Sequence, residues 1–132
     1  MTDLPADVRA RYRDLARQRN WPAVTESAFL ERARWFRDLD EEPAPRTYYE
    51  GAADEPGPAG TRWLWEAAVV AGEIIAVKQI EVPPDGITRC YCWRHLEDER
   101  GFLTDQPLDP DGWQLRVVGR GVFYELWDSP SQ

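Results

Sequence analysis

Lysine is nearly missing from this 132-residue chain: Lys78 stands against fifteen arginines. Histidine occurs once, at His95, and cysteine twice, at Cys90 and Cys92. Two cysteines cannot staple a small secreted fold, so a disulfide scaffold is excluded. No stretch approaches the ~20 apolar residues that span a bilayer. The opening "MTDLPADVRARYRDL" lacks the apolar core of a secretory signal. These absences place the expected home of the chain in the reducing cytoplasm. The phosphate-binding P-loop, the dinucleotide fingerprint and the G-x-S-x-G elbow are missing too, which leaves no reaction written in the sequence. "DPDG", 109–112, has the look of a calcium-loop start, but the later ligands and the closing Glu are absent, so it reads as a turn.

What is present is ordinary globular composition, 42% hydrophobic and 30% charged. That length and composition predict a single domain over 1–132. The net charge is −8, and it is uneven. Residues 1–40 hold eight Arg and seven acids, whereas 41–132 hold eight basic residues and seventeen acids. An acidic surface repels nucleic acid and phospholipid and attracts basic partners. The expected partner is therefore a basic protein, with no nucleic acid and no membrane. No cofactor is implied, and the oligomeric state is left open.

Apolar periodicity predicts two helices in 1–40. Val8, Tyr12 and Leu15 fall at i, i+4, i+7, and "NWP" ends that helix. The second, "TESAFLERARWFRDLDEE", has Thr25 as its expected N-cap and a broad apolar face around Phe29, Ala33 and Phe36. Residues 41–60 carry four Pro and three Gly and read as an irregular connection. From 61 onward the pattern is strand-like. "TRWLWEAAVV" and "EIIAVKQIEV" flank a tight Ala71-Gly72 turn, and "ITRCYCWRHLED" follows "PPDG". The closing "WQLRVVGRGVFYELW" fits either a hairpin or a strand and a short helix with Phe123 and Trp127 at i, i+4. The fold class is α+β, with two N-terminal helices packed on an antiparallel β-meander of about four to five strands.

"RCYCWRHL", 89–96, gathers both cysteines and the histidine. A three-residue loop over Pro-Asp-Gly pairs Glu81 with Arg89, Ile80 with Cys90 and Gln79 with Tyr91, and continues to Lys78 with Cys92 and Val77 with Trp93. The first pair brings opposite charges across the strands. Both thiols then share the face of Ile74, Ala76, Ile80 and Val82, and His95 points to the other. Three ligands that do not converge hold no metal. Strand residues i and i+2 lie roughly 6.6 Å apart with parallel side chains, at the limit of disulfide geometry. The stretch is thus expected to be a strand with buried free thiols, and the two helices are expected to cover the cysteine face.

Seven Trp in so small a chain are expected mainly as core filling, with an aromatic binding platform as the alternative. Arg9, Arg13 and Arg17 line one stripe of the first helix, with Arg11 and Arg19 beside it. Interleaved acids favour a solvated face, or a stripe docked on acidic loops of the sheet, over a nucleic-acid helix.

"VKQIEVPPDG", "HLEDERGFLTDQPL" and "FYELW", in that order, resemble a group of small uncharacterised, immunity-like bacterial proteins. Those share an (Arg/Lys)-x-Ile/Val-Glu strand, an Asp/Asn-Gly turn and a terminal Phe-x-x-Leu/Val-Trp. The resemblance spans residues 62–128 and departs at Phe102, which interrupts a Gly-Leu step. It implies no catalytic residues. With the acidity, it makes the expected function a non-enzymatic, immunity-type inhibitor of a basic toxin domain or similar cationic protein. The alternative is a small-molecule-binding domain or minor enzyme, with a Trp-walled pocket between helices and sheet. The acids of "HLEDERG" and "TDQPLDPDG" supply the expected partner-binding set: Glu97, Asp98, Glu99, Asp105, Asp109 and Asp111, with Trp113 as an aromatic anchor. The six acids are expected to form one exposed patch.

Overall fold

Helix α1 (Ala6–Arg19) starts behind Pro5, which has no N–H to lose there, and stops at Asn20 in the left-handed conformation. The computed structural model describes residues 4–52, 60–84, 87–98 and 101–128. Helix α2 (Thr25–Glu41) begins one residue earlier than Thr25 capping would require: Val24 holds the N-cap position and no side chain caps it. Its far end is better served. Arg46 Nη2 donates to the carbonyls of Leu39, Asp40 and Glu42 at 3.2, 2.6 and 3.2 Å, filling acceptors that a helix end leaves open.

Five strands follow: β1 (Thr47–Ala52), β2 (Arg62–Val70), β3 (Glu73–Val82), β4 (Arg89–Tyr91) and β5 (Arg116–Val118), then helix α3 (Arg120–Trp127). The sheet order is β4-β3-β2-β1-β5, and every pair is antiparallel. The chain is α+β, with its two leading helices ahead of a five-stranded antiparallel sheet. Four strands run as a meander, and β5 returns to the free side of β1.

Strand β1 lies inside the segment expected to be irregular. Tyr48, Glu50 and Tyr49 alternate faces there, and Arg62 and Arg116 flank Glu50 from both neighbouring strands. The closing segment takes the strand-and-helix form rather than the hairpin. The β3–β4 register matches the one read from the turn, with Glu81 opposite Arg89 and Ile80 opposite Cys90. Strand β4, however, ends at Tyr91. Cys92 and His95 bond each other through their backbones at 3.3 and 3.0 Å, so the chain reverses where the sequence suggested continued pairing.

A bulge decides which residues share a face. Glu66 pairs with Lys78 but Ala67 pairs with Ala76, leaving Val77 as the extra residue. Side chains of β3 therefore change sides at this point. Beyond it Ile80 and Val82 join Tyr48, Leu64, Cys90 and Phe123 of α3; before it Ile74 and Ala76 join the main core. Helices α1 and α2 supply Val8, Tyr12, Phe29 and Phe36 to that main core, where they meet Trp65 and Tyr91. The expectation that these helices cover the cysteine face is thus corrected. They cover the face opposite Cys90, and α3 covers the face that Cys90 shares.

Candidate functional site

The acidic stretch after β4 is turned inward. Glu97 is clasped by Arg19 of α1 and, at 3.4 Å, by Arg32 of α2, and its side chain is only 16% exposed. This carboxylate ties both helices to the loop through Arg19, which stands beside the expected Arg stripe, whereas Arg13 and Arg17 of the stripe itself are exposed. Asp98 accepts the Tyr91 hydroxyl and the Gly101 N–H through Oδ1, each at 3.0 Å, and its Oδ2 lies 2.9 Å from His95 Nε2. The expected single exposed patch is corrected accordingly: Glu97 and Asp98 bind partners within the chain, and Glu99 lies outside the described residues. Asp105, Asp109 and Asp111 are exposed.

Trp113 is where the remaining acids meet an aromatic. Asp109 Oδ1 accepts the Gly112 N–H at 3.0 Å, and the Asp109 carbonyl accepts the Trp113 N–H at 2.8 Å. A β-carbon on Gly112 would stand 2.2 Å from Asp109 Oδ2 and would push that carboxylate off the Gly112 N–H. This tight turn sets Trp113 against Trp65, 6.2 Å between ring centroids, while leaving it 43% exposed. Trp65 is itself buried and stacked on Trp63. One cross-strand row then runs Val117–Tyr49–Trp65, and Val117 at its end is 68% exposed. Trp113, Val117 and half-buried Tyr49 make an aromatic-aliphatic surface beside Asp109 and Asp111. Trp65 and Trp93 are core, but the expectation of mainly core tryptophans holds only in part: Trp21, Trp63 and Trp127 are half-buried, and Trp35 and Trp113 are exposed.

Two polar clusters carry the rest of the electrostatics. On the α3 side, Lys78 Nζ lies 2.9 Å from Asp40 and 3.3 Å from Glu66, under the rings of Tyr124 and Trp127. Burial works against its charge, but Asp40 and Glu66 outweigh it and hold the ammonium above its ordinary value. Arg46 bonds Glu66 Oε2 at 3.1 Å, and the Tyr124 hydroxyl donates to Oε1. On the other face Gln79 is fully used: Oε1 accepts from Trp65 Nε1 and the Thr104 N–H, and Nε2 donates to Glu81 and the Phe102 carbonyl. Sequence reading missed both clusters, although the polar residues Lys78, Gln79 and Glu81 in an otherwise apolar strand were their signal.

Cys90 and Cys92 are free and half-buried. Burial pushes Cys90 up to about 11 and raises Cys92 as well, so neither is an activated nucleophile. Among the described residues no group of three His, Cys, Asp or Glu side chains is arranged to hold a metal ion. No described helix is long and apolar enough to cross a membrane. No family model, curated protein or solved structure matches the chain.

Proposed function

We propose that this is a non-enzymatic binding protein, an immunity-type inhibitor that occludes a cationic protein, most concretely a basic toxin domain. The observation that carries the reading is Trp113, a large aromatic fixed by a rigid turn, exposed, and flanked by the exposed Asp109 and Asp111. Aromatic anchors ringed by charge are the usual energetic centre of a protein interface. The acids would raise the association rate toward a cationic cleft, and Trp113 with Val117 would supply the desolvated contact.

The test uses capture from the native host with the wild type, Trp113→Ala, and the triple variant Asp105→Asn, Asp109→Asn, Asp111→Asn. A basic protein should be retained by the wild type. Its association with the triple variant should be slower and less dependent on salt, and Trp113→Ala should weaken it by about thirtyfold, the size of a 2 kcal/mol anchor. Capture of acidic proteins alone, or equal rates for all three forms, ends this reading.

A further inference from the structure

Glu81 is a buried carboxyl with few donors around it among the described residues. It is 6% exposed, and Gln79 Nε2 reaches its Oε2 at 3.1 Å. The same oxygen and the Tyr91 hydroxyl each lie 3.1 Å from the position of a β-carbon on Gly101, so strand and loop are in close contact there. The nearest hydroxyl is committed elsewhere, because Tyr91 donates to Asp98. Asp98 in turn takes the Gly101 N–H and faces His95, which suits an ionised carboxylate. Two acids thus flank one tyrosine, one rich in donors and one poor.

Among the described residues, the charged and titratable groups facing Glu81 are few. Strand β4 brings Arg89, opposite in register, and Tyr91; the loop brings Asp98 and, through it, His95. Strand β2 offers only the neutral Trp63 opposite. Arg19 donates to the Asp98 backbone carbonyl at 2.6 Å, not to its carboxylate.

We propose that Glu81 and the paired arms 95–98 and 101–104 form a pH-sensitive latch, closed while Glu81 keeps its proton and loosened when it ionises beside Asp98. The arms are joined by Asp98 N–H to Gly101 at 2.9 Å and Leu103 N–H to Leu96 at 2.7 Å. Among the described residues, Leu96 and Leu103 bury these arms in the main core, and the side-chain hydrogen bonds from sheet to arms come from Gln79 and Tyr91, the two neighbours of Glu81. A second negative charge placed there acts on all of these bonds at once. Burial raises the Glu81 carboxyl above its ordinary 4.5, with Asp98 adding to this and Arg89 opposing it. A carboxyl raised in the closed form favours closure fully below the ordinary value, and that advantage is lost as pH rises through the raised value. Because Glu97 on the same arm holds Arg19 and Arg32, loosening the latch would also free the helices from the loop.

Amide hydrogen exchange at Gly101, Leu103 and Thr104, corrected for intrinsic rates, reads the latch directly. In the wild type the opening constant should rise from pH 4.5 upward, by at most about tenfold per unit, the ceiling for one proton. Glu81→Gln should flatten this dependence and His95→Gln should leave it in place. The carbon-13 carboxyl titration of Glu81 should share the midpoint of the exchange curve, which serves if Glu81→Gln does not fold. A flat wild-type profile, a dependence lost in His95→Gln, a dependence kept in Glu81→Gln, or two distinct midpoints overturns the proposal.

Discussion

Leu115 Cδ2 lies 2.5 Å from the point where a β-carbon on Gly51 would stand, across the boundary between β1 and the segment leading into β5. A side chain at position 51 therefore requires Leu115 to turn aside. Gly51→Ala should destabilise the fold by about 1–3 kcal/mol, the range for overpacking. The double variant with Leu115→Ala should recover part of that loss in denaturant titration. If Gly51→Ala is neutral or stabilising, Leu115 turns aside freely and the contact is unimportant.

The β2–β3 turn holds a non-glycine residue in a glycine conformation. Ala71 has φ 52° and Gly72 φ 82°, the geometry of a two-residue hairpin loop. Left-handed backbone costs an alanine roughly 1 kcal/mol. Ala71→Asn or Ala71→Gly should raise the melting temperature by a few degrees, and a fall would show that the turn carries no such strain.

Glu50 faces Arg62 Nε at 2.8 Å and Arg116 Nη2 at 3.0 Å. The Arg62 hydrogen bond is the chief reason its carboxyl sits below the ordinary range, against the opposing effect of burial. A depressed carboxyl stabilises the fold above the ordinary value and loses that contribution as pH falls through the depressed one. Glu50→Gln should lower stability at neutral pH and reduce its fall between about pH 5 and pH 2. An unchanged acid profile would remove the clasp from the account.

Lys78 is the only ammonium side chain in the chain and the centre of the α3-side cluster. Lys78→Met leaves Arg46 as the cation for Asp40 and Glu66, at 3.9 and 3.1 Å, so a loss of about 1–3 kcal/mol is expected. Adding Glu66→Gln should return part of it in a double-mutant cycle. Purely additive losses would mean that Lys78 acts through packing alone.

The raised Cys90 thiol, up to about 11 from an ordinary 9.0, predicts slow alkylation. At pH 8 its thiolate fraction should be about a hundredfold below that of an exposed thiol. Iodoacetamide labelling followed by mass spectrometry checks this, and labelling of Cys90 at the rate of a small free thiol would contradict it.

Local chemistry was legible and distant chemistry was not. The register of β3 against β4 followed from a Pro-Asp-Gly turn and one opposite-charge pair, all within a dozen residues. The apolar stripes of α1 and α2 followed from Val8, Tyr12 and Phe29 in the same way. Strand β1 was hidden by the prolines on either side of it in the sequence and by Gly51, whose role depends on Leu115 far along the chain. The face assignment failed at Val77, because β3 is apolar on both sides and a bulge leaves no mark in its composition. At the candidate site, Glu97 and Asp98 looked like a rim because acids cluster there. Their partners Arg19, Arg32 and Tyr91 come from two helices and a strand, and only the fold brings them together. Trp113, Asp105, Asp109 and Asp111 stayed at the surface because their turn is built from near neighbours.

Strand β5 lies beside β1, pairing Val118 with Tyr48, although three other strands come between them in the chain. Pairings of such sequence separation come late, because a long loop must close before they are rewarded. Until then β1 is a bare edge, with Glu50 lacking Arg116 and Tyr48 lacking the Phe123 ring that packs 5.4 Å away. The folding chain should thus pass through a four-stranded species whose open margin is ready to pair with another molecule. Recovery on refolding should therefore fall with protein concentration, and a covalent link between β1 and β5 should make it nearly independent of concentration.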